Sequence, residues 1–577
     1  MRPLEPRRAC AVLAPGLLAL ALLSGCSSGV PAGPATRSAA TPPVPRVVEP
    51  PPRYRVTLAA STLREDQRIL HVLNRLGYGP RPGDVERVRQ MGLERWIERQ
   101  LDPERLPDAA LEAALTDYPV LAMSPAGLYR DYPPPRQQDV QRFQSGQMTP
   151  QEIREVFPPD RRPAVINAQL QSAKIMRAVL SERQLQEVMV DFWFNHFNVY
   201  ALKGPVRWMT PAYEREAIRP HAMGRFRDLV LATAHHPAML YYLDNWLSTR
   251  DDLVVPGRGR RGLNENYARE LMELHTLGVD GGYSQQDVVE VARCFTGWTI
   301  ERPQQGGGYL FRPGTHDRGA KHVLGRAIPA GGGQEDGLAV IDLLTRHSST
   351  ARFIATKLVR RFVRDDPPKA LVDRVARVFQ KTDGDIRAML VAIVTSPEFV
   401  SADTYQAKTK TPLEVVVSAV RALDGGLDPP PAPGAPARVV GGGLSLARQV
   451  ARLGEPLYEA QPPTGYPDVA PAWVNAGALL GRMNYALALA QSRLPGVRTD
   501  VGRFVQDVDR GQPAAVLDRI VSVVLHGEVS ASTRRVLASQ LDSPEIVRAT
   551  SDDRGPRNTD VEKLAALVLG SPEFQRR

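Results

Sequence analysis

Residues 182–199 read ERQLQEVMVDFWFNHFNV. At 100° per residue, Gln184, Glu187, Asp191, Asn195 and Asn198 fall within an arc of ~80° on a helix. The remainder is apolar and aromatic: Val188, Met189, Val190, Phe192, Trp193, Phe197 and Val199. A helix that is apolar on most sides belongs in a core. Its narrow polar stripe then needs partners, a cation or a wet cleft, because unpaired buried charge is expensive. Strand-like alternation is scarce along the whole chain. The sequence therefore predicts a mainly α protein, a large multi-helix globular array with long Pro/Gly-rich loops.

A second helix carries a comparable stripe. In LNENYARELMELHTLG (263–278), Asn264 suits the start and Gly278 the C-terminal cap. Asn266, Arg269, Glu270 and Glu273 share one face, opposite Tyr267, Leu271, Leu274 and His275. Glu265–Arg269 and Arg269–Glu273 are i,i+4 pairs, the pattern of a solvated face. If the two stripes face one cleft instead, Asp191, Glu187, Glu270 and Glu273 become candidate catalytic carboxylates. Asp191, Glu270 and Glu273 would then be candidate ligands for Ca²⁺ or Mg²⁺, or a carboxyl among them would have a raised pKa. Asn195, Asn198, Asn266 and Arg269 are candidate binding residues, though Arg269 competes with a cation for the carboxylates. His196 and His275 project away from the stripes and read as core residues. His316 and Asp317, in the loop RPGTHDRGAKHVLG (312–325), are further binding candidates. No HExxH or GxxxxGK[ST] occurs, and there is no GxSxG elbow, the Gly25–Gly29 match falling in the N-terminal export segment.

Outward from these helices, DQRILHVLNRLGYG (66–79) sets Ile69, Val72, Leu73 and Leu76 on one helical stripe. LVAIVTSPEF (390–399) and LAALVLGSPEF (564–574) repeat an apolar helix running into Ser-Pro-Glu-Phe, a structural boundary. PPTGYPD (462–468) reads as a tight turn ahead of a helix near Trp473, with a cleft wall as the other reading. The expected helical regions are 54–300, 301–423 and 444–577, with a Pro/Gly-rich loop at 424–443.

The N-terminus reads as an export signal. Arg2, Arg7 and Arg8 precede an apolar run from Ala9 to Leu23, which ends in Leu23-Ser24-Gly25-Cys26. This resembles a bacterial lipobox. The expectation is a signal peptide over 1–25, lipid on Cys26 as a membrane anchor and a Pro-rich tether over 26–53. Ser27 and Ser28 favour the outer membrane, facing the periplasm or the cell surface. The chain has 577 residues and a formal charge of +10. Removing residues 1–25, which carry +2, leaves about +8. The arginines are dispersed and no block of like charge appears, which argues against nucleic acid as a partner. Of three cysteines, Cys10 is removed and Cys26 lipidated, so Cys294 has no partner for a disulfide. The lack of CxxCH excludes c-type haem.

Several stretches resemble the bacterial family called domain of unknown function 1800. They include HVLNRLGYGP (71–80), DFWFNHFNV (191–199) and NENYARELMELHTLGVDGGYSQQDVVEVARCFTGWT (264–299). THDRGAKHVLG (315–325), RFIATKLVRRFV (352–363), PPTGYPDVAPAWVNAGALLGRMN (462–484) and the SPEF helices extend the likeness. The resemblance implies a mostly helical, often exported protein whose biochemical role is open. It also implies a possible partner, a phosphatase/sulfatase-like protein of domain of unknown function 1501, whose genes accompany the family. Three readings follow: an accessory or binding lipoprotein at the envelope, a carboxylate- or metal-dependent hydrolase, and a purely structural lipoprotein.

Overall fold

A computed structural model describes residues 54–255, 259–260, 262–302, 307–431, 440–541, 547–548 and 558–577. The signal peptide, Cys26, the tether and residues 432–439 of the 424–443 loop lie outside the described residues. Among those described, the protein is mainly α, and its strands are short antiparallel pairs of two or three residues. No helix of the described residues is long and apolar enough to cross a membrane.

Residues 52–577 form one compact unit. The main core runs from Val56 to Phe574 and draws on all three helical regions, with two small satellite clusters around Val120 and Leu111. Helix α1 (Glu65–Arg75) buries Ile69, Val72, Leu73 and, just past its end, Leu76. That is the stripe the periodicity predicts. Its last residue, Arg75, is fully buried. The guanidinium donates to the carbonyls of Phe362 (3.2 Å), Val363 (2.8 Å) and Thr404 (2.6 Å). It thereby satisfies carbonyls at the end of a distant helix, where a cation also opposes the dipole.

Helix α2 (Ala164–Leu180) packs against a later helix, Gly442–Arg452. A Cβ on Gly443 would meet the Ser172 carbonyl oxygen at 2.9 Å, so the small residue sets that close approach. The SPEF segments use one device twice. Ser396 Oγ accepts from Phe399 N (3.2 Å) and Ser571 Oγ from Phe574 N (3.4 Å), and both phenylalanines are buried plugs.

Charge is buried as well as apolar surface. Helix Pro412–Ala422 starts with a capping box between Thr411 and Glu414. The Glu414 carboxylate also binds Arg361 Nη1 (2.6 Å) and Arg577 Nε (3.0 Å). Burial alone would raise its pKa, but Arg361 and Arg577 outweigh it and hold the carboxyl down at about 2. Unfolded, the group titrates near 4.5. Its contribution to stability is therefore complete above pH 4.5 and is lost as pH falls towards 2. Glu414→Gln is expected to cost about 3–5 kcal/mol in denaturant unfolding at pH 7, because two guanidinium groups lose their counter-charge. Between pH 4.5 and 2 the wild type should lose stability more steeply than the variant.

Candidate functional site

The stripe-bearing helix is α3 (Gln184–His196). Val188, Met189, Val190 and Trp193 sink into the core, and Trp193 Nε1 donates to the Ala222 carbonyl (2.8 Å). With that face fixed, Asp191, Asn195 and Asn198 turn towards the chain at 455–469. There they line a cavity of about 320 Å³. Its wall also includes Lys174, Lys357, Arg360, Arg361, Glu455, Tyr458, Tyr466 and Asp468.

The amides of the stripe hold the opposite wall in place. Asn195 Nδ2 donates to the Tyr466 carbonyl (2.8 Å) and its Oδ1 accepts from Tyr466 N (2.7 Å). One side chain thus pairs with a backbone as a neighbouring strand would. Asn198 Nδ2 donates to the carbonyls of Ala460 (2.9 Å) and Pro462 (3.0 Å). Gly465 lies at φ +68°, and a Cβ there would stand 2.4 Å from Asn195 Oδ1. The PPTGYPD segment is consequently both a turn, closed by Gly465 N donating to Pro462 O (3.1 Å), and a cavity wall. Asn195 and Asn198 act as positioning residues for this loop.

Three carboxyl groups line the cavity in different electrostatic settings. Asp191 pairs with Lys174 Nζ at 2.5 Å. Burial would lower the Lys174 pKa, but Asp191, Glu214 and Glu455 raise it, so the ammonium stays charged. Asp468 Oδ1 lies 3.2 Å from Lys408 Nζ. Glu455 accepts from Leu413 N (2.8 Å), yet burial, reinforced by the charge of Asp191, pushes its pKa up to about 8. It is protonated at neutral pH. Lys357 moves the other way. Burial, helped by Arg360 and opposed by Asp468, lowers it to about 8.

The two polar stripes do not line one cavity: Asp191, Asn195 and Asn198 share a wall in which Glu270 and Glu273 take no part. Residues 266–276 begin as α-helix (Asn266–Glu270) and continue as a π turn (Leu271–Thr276). The 100° projection fails there, because i→i+5 hydrogen bonding changes the angle per residue. The helices meet through their histidine faces: His196 Nε2–H donates to the His275 carbonyl (3.1 Å), and the His275 ring lies 5.1 Å from Phe197. Both imidazoles are buried, and burial lowers both pKa values, that of His275 to about 3. His275 serves the core, whereas His196 also reaches the cavity wall.

Glu270 and Glu273 lie outside the cavity wall. Burial and Glu273 raise the Glu270 pKa against the pull of Arg269. Arg269 pairs with Glu265 (3.0 Å), and Asn266 Nδ2 donates to Leu243 O (3.3 Å). Glu187 is held bidentately by Arg219, at 2.7 and 3.0 Å, in a buried network with Glu214. His316 bonds Thr296 O (2.8 Å) and Asp336 (3.2 Å), and Asp317 pairs with Arg293 (2.8 Å). That loop forms a knot of its own, completed by Lys321 on Asp336 at 2.7 Å. Among the described residues, no three His, Cys, Asp or Glu side chains converge as cation ligands. The proposed Ca²⁺ or Mg²⁺ donors Asp191, Glu270 and Glu273 do not fit such an ion: Asp191 is bound to Lys174, and Glu270 and Glu273 lie off the cavity wall.

The model of the family described as protein of unknown function (DUF1800) matches residues 71–576. The chain belongs to that family. No curated protein and no solved structure matches it. The matched span of this DUF1800 protein takes in every segment of the cavity wall. Sequence reasoning missed Glu455, Lys174, Lys357 and Arg360. Lys174 was the most visible of them, a lone lysine in the apolar helix run AVINAQLQSAKIMRAVL.

Asn195→Asp replaces the donor facing the Tyr466 carbonyl by an acceptor, and Gly465→Ala forces a Cβ into Asn195. Leaving one buried partner unmatched costs about 1–3 kcal/mol, so local opening of the loop should rise about tenfold or more. Limited proteolysis should show faster cleavage within 460–470 for both variants, with helical circular dichroism unchanged.

Proposed function

We propose that this DUF1800 protein is an exported lipoprotein, held to the envelope by lipid on Cys26, that binds a small polar ligand in the α3 cavity. It works as an accessory or binding protein beside a phosphatase/sulfatase-like partner. The observation that carries the binding reading is the cavity itself. Its size falls at the lower end of the ~300–1,000 Å³ of small-molecule sites. Two aromatic walls, Tyr458 and Tyr466, and a few convergent charged groups give it the composition of such a site. The Asn195 clamp preforms the wall before any ligand arrives. The anchor reading is supported by the n-region, apolar run and Leu-Ser-Gly-Cys of residues 1–26. The outer membrane, facing the periplasm or cell surface, is the proposed site, from Ser27 and Ser28.

The anchor is tested by Cys26→Ser in the full chain. The wild type should take up radiolabelled palmitate and sediment with membranes. The variant should take up no label, and an unlabelled wild type would overturn the anchor. The partner is tested by crosslinking in native membranes, where recovery of a phosphatase/sulfatase-like protein is expected and its absence counts against the pairing.

One observation favours a second reading, a metal-free envelope hydrolase. Glu455 is a carboxyl kept protonated at neutral pH in the same cavity as Asp191, the pairing expected of an acid beside an ionised carboxylate. Under this reading Glu455 protonates a leaving oxygen. Any hydrolysis of glycoside or ester substrates should fall about 10²–10⁴-fold in Glu455→Gln. Activity should also decline as pH rises through about 8, where Glu455 loses its proton.

A further inference from the structure

Four cations and three carboxyl groups line the cavity. Most of them already have partners in the protein. Lys174 is taken by Asp191 (2.5 Å) and Arg361 by Glu414 (2.6 Å), while Asp468 is served by Lys408 (3.2 Å). Glu455 accepts its hydrogen bond from a backbone amide, Leu413 N. Two cations are left over. Lys357 makes no ion pair among the described residues, and its Nζ has only the Phe353 ring, 5.5 Å away. Arg360 donates through Nε to the Asp365 carbonyl (3.1 Å), and its outer nitrogens have no partner among the described residues. The two stand three residues apart on helix Ser348–Phe362, so they share one face.

Resting on the cavity reading above, we propose that the ligand is a small organic oxyanion whose acid group is held between Lys357 and Arg360. A guanidinium with free outer N–H groups binds carboxylate, sulfate or phosphate oxygens in pairs, and an ammonium adds a point charge. Two partly desolvated cations on one wall, with Asp468 as nearby counter-charge to Lys357 but no ion pair to either among the described residues, favour an anion there. The volume exceeds what an inorganic ion needs, so the acid group belongs to a larger molecule whose body rests against Tyr458 and Tyr466.

Around Lys357 stand Arg360, Asp468, His196 and His275. The two histidines are neutral and Asp468 is served by Lys408, so the titrations that matter near neutrality are those of Lys357 and of Glu455 in the same wall; as pH rises the first loses a positive charge and the second gains a negative one, and both disfavour an anion. Binding a negative group favours the charged lysine. Affinity should therefore be highest below pH 8 and fall as pH rises above it.

The test uses the full chain in detergent, titrated calorimetrically with sodium sulfate, phosphate, glucuronate and uncharged glucose, each at ionic strength matched with chloride. Saturable binding of at least one oxyanion is expected, weakened about tenfold or more in Lys357→Met and Arg360→Met. Lys357→Arg should restore it. The oxyanion that binds tightest identifies the acid group. Limited proteolysis of the 460–470 loop verifies that each variant keeps its wall. Oxyanion binding that these substitutions leave unchanged overturns the proposal. Binding of glucose alone also overturns it while leaving the cavity reading intact. If none of the four probes binds, the oxyanion site is overturned.

Discussion

The Glu414 carboxylate is the charge on which the interior depends. It caps its own helix at Thr411, fixes Arg361 on the helix that carries Lys357 and Arg360, and ties down Arg577. A charge taken this far from water persists only when partners from several directions replace the solvent. Those partners come from segments distant in sequence, so a single carboxylate specifies how they are placed. Arg75 does the same with the opposite sign, joining three carbonyls at the end of the Ser348–Phe362 helix and beyond. Apolar burial supplies most of the driving force, and these buried ions are satisfied only when the segments that partner them meet.

The cavity is a product of that arrangement. Arg361 is pinned from behind by Glu414, and Asp191 is matched with Lys174. Asn195 and Asn198 give their hydrogen-bonding capacity to the loop backbone. The polar groups of the wall are therefore mostly engaged in building it, which makes the few that are not, Lys357 and Arg360, chemically informative. Glu455 adds a neutral carboxyl where an ionised one would offset their charge.

Legibility differed between fold and site for physical reasons. Helices were readable wherever local periodicity decided them: the Ile69–Leu76 stripe, the buried face of α3 and the twin SPEF caps. On α3 the projection also placed Asp191, Asn195 and Asn198 on a common side. It could not say what they faced, because Tyr466 is 271 residues away from Asn195. The stripe at 263–278 misled because a π turn interrupts it, and nothing in LMELHT announces that winding. Glu187 shared the α3 stripe but met Arg219 rather than the cavity. Lys357 and Arg360 carry no local mark in RFIATKLVRRFV, since exposure and burial of a lysine are indistinguishable without its neighbours.

The separation between Asn195 and Tyr466 also bears on the order of events as the chain folds. Contacts this remote in sequence close late, because most of the loop entropy must be overcome before they reward it. Helices α2 and α3 can pair early, through neighbours such as Lys174 and Asp191. The cavity has no far wall until the 455–469 segment docks. Ligand competence is thus a property of the finished molecule alone, and a bound molecule would act as a final latch, slowing the opening of the last segment to arrive.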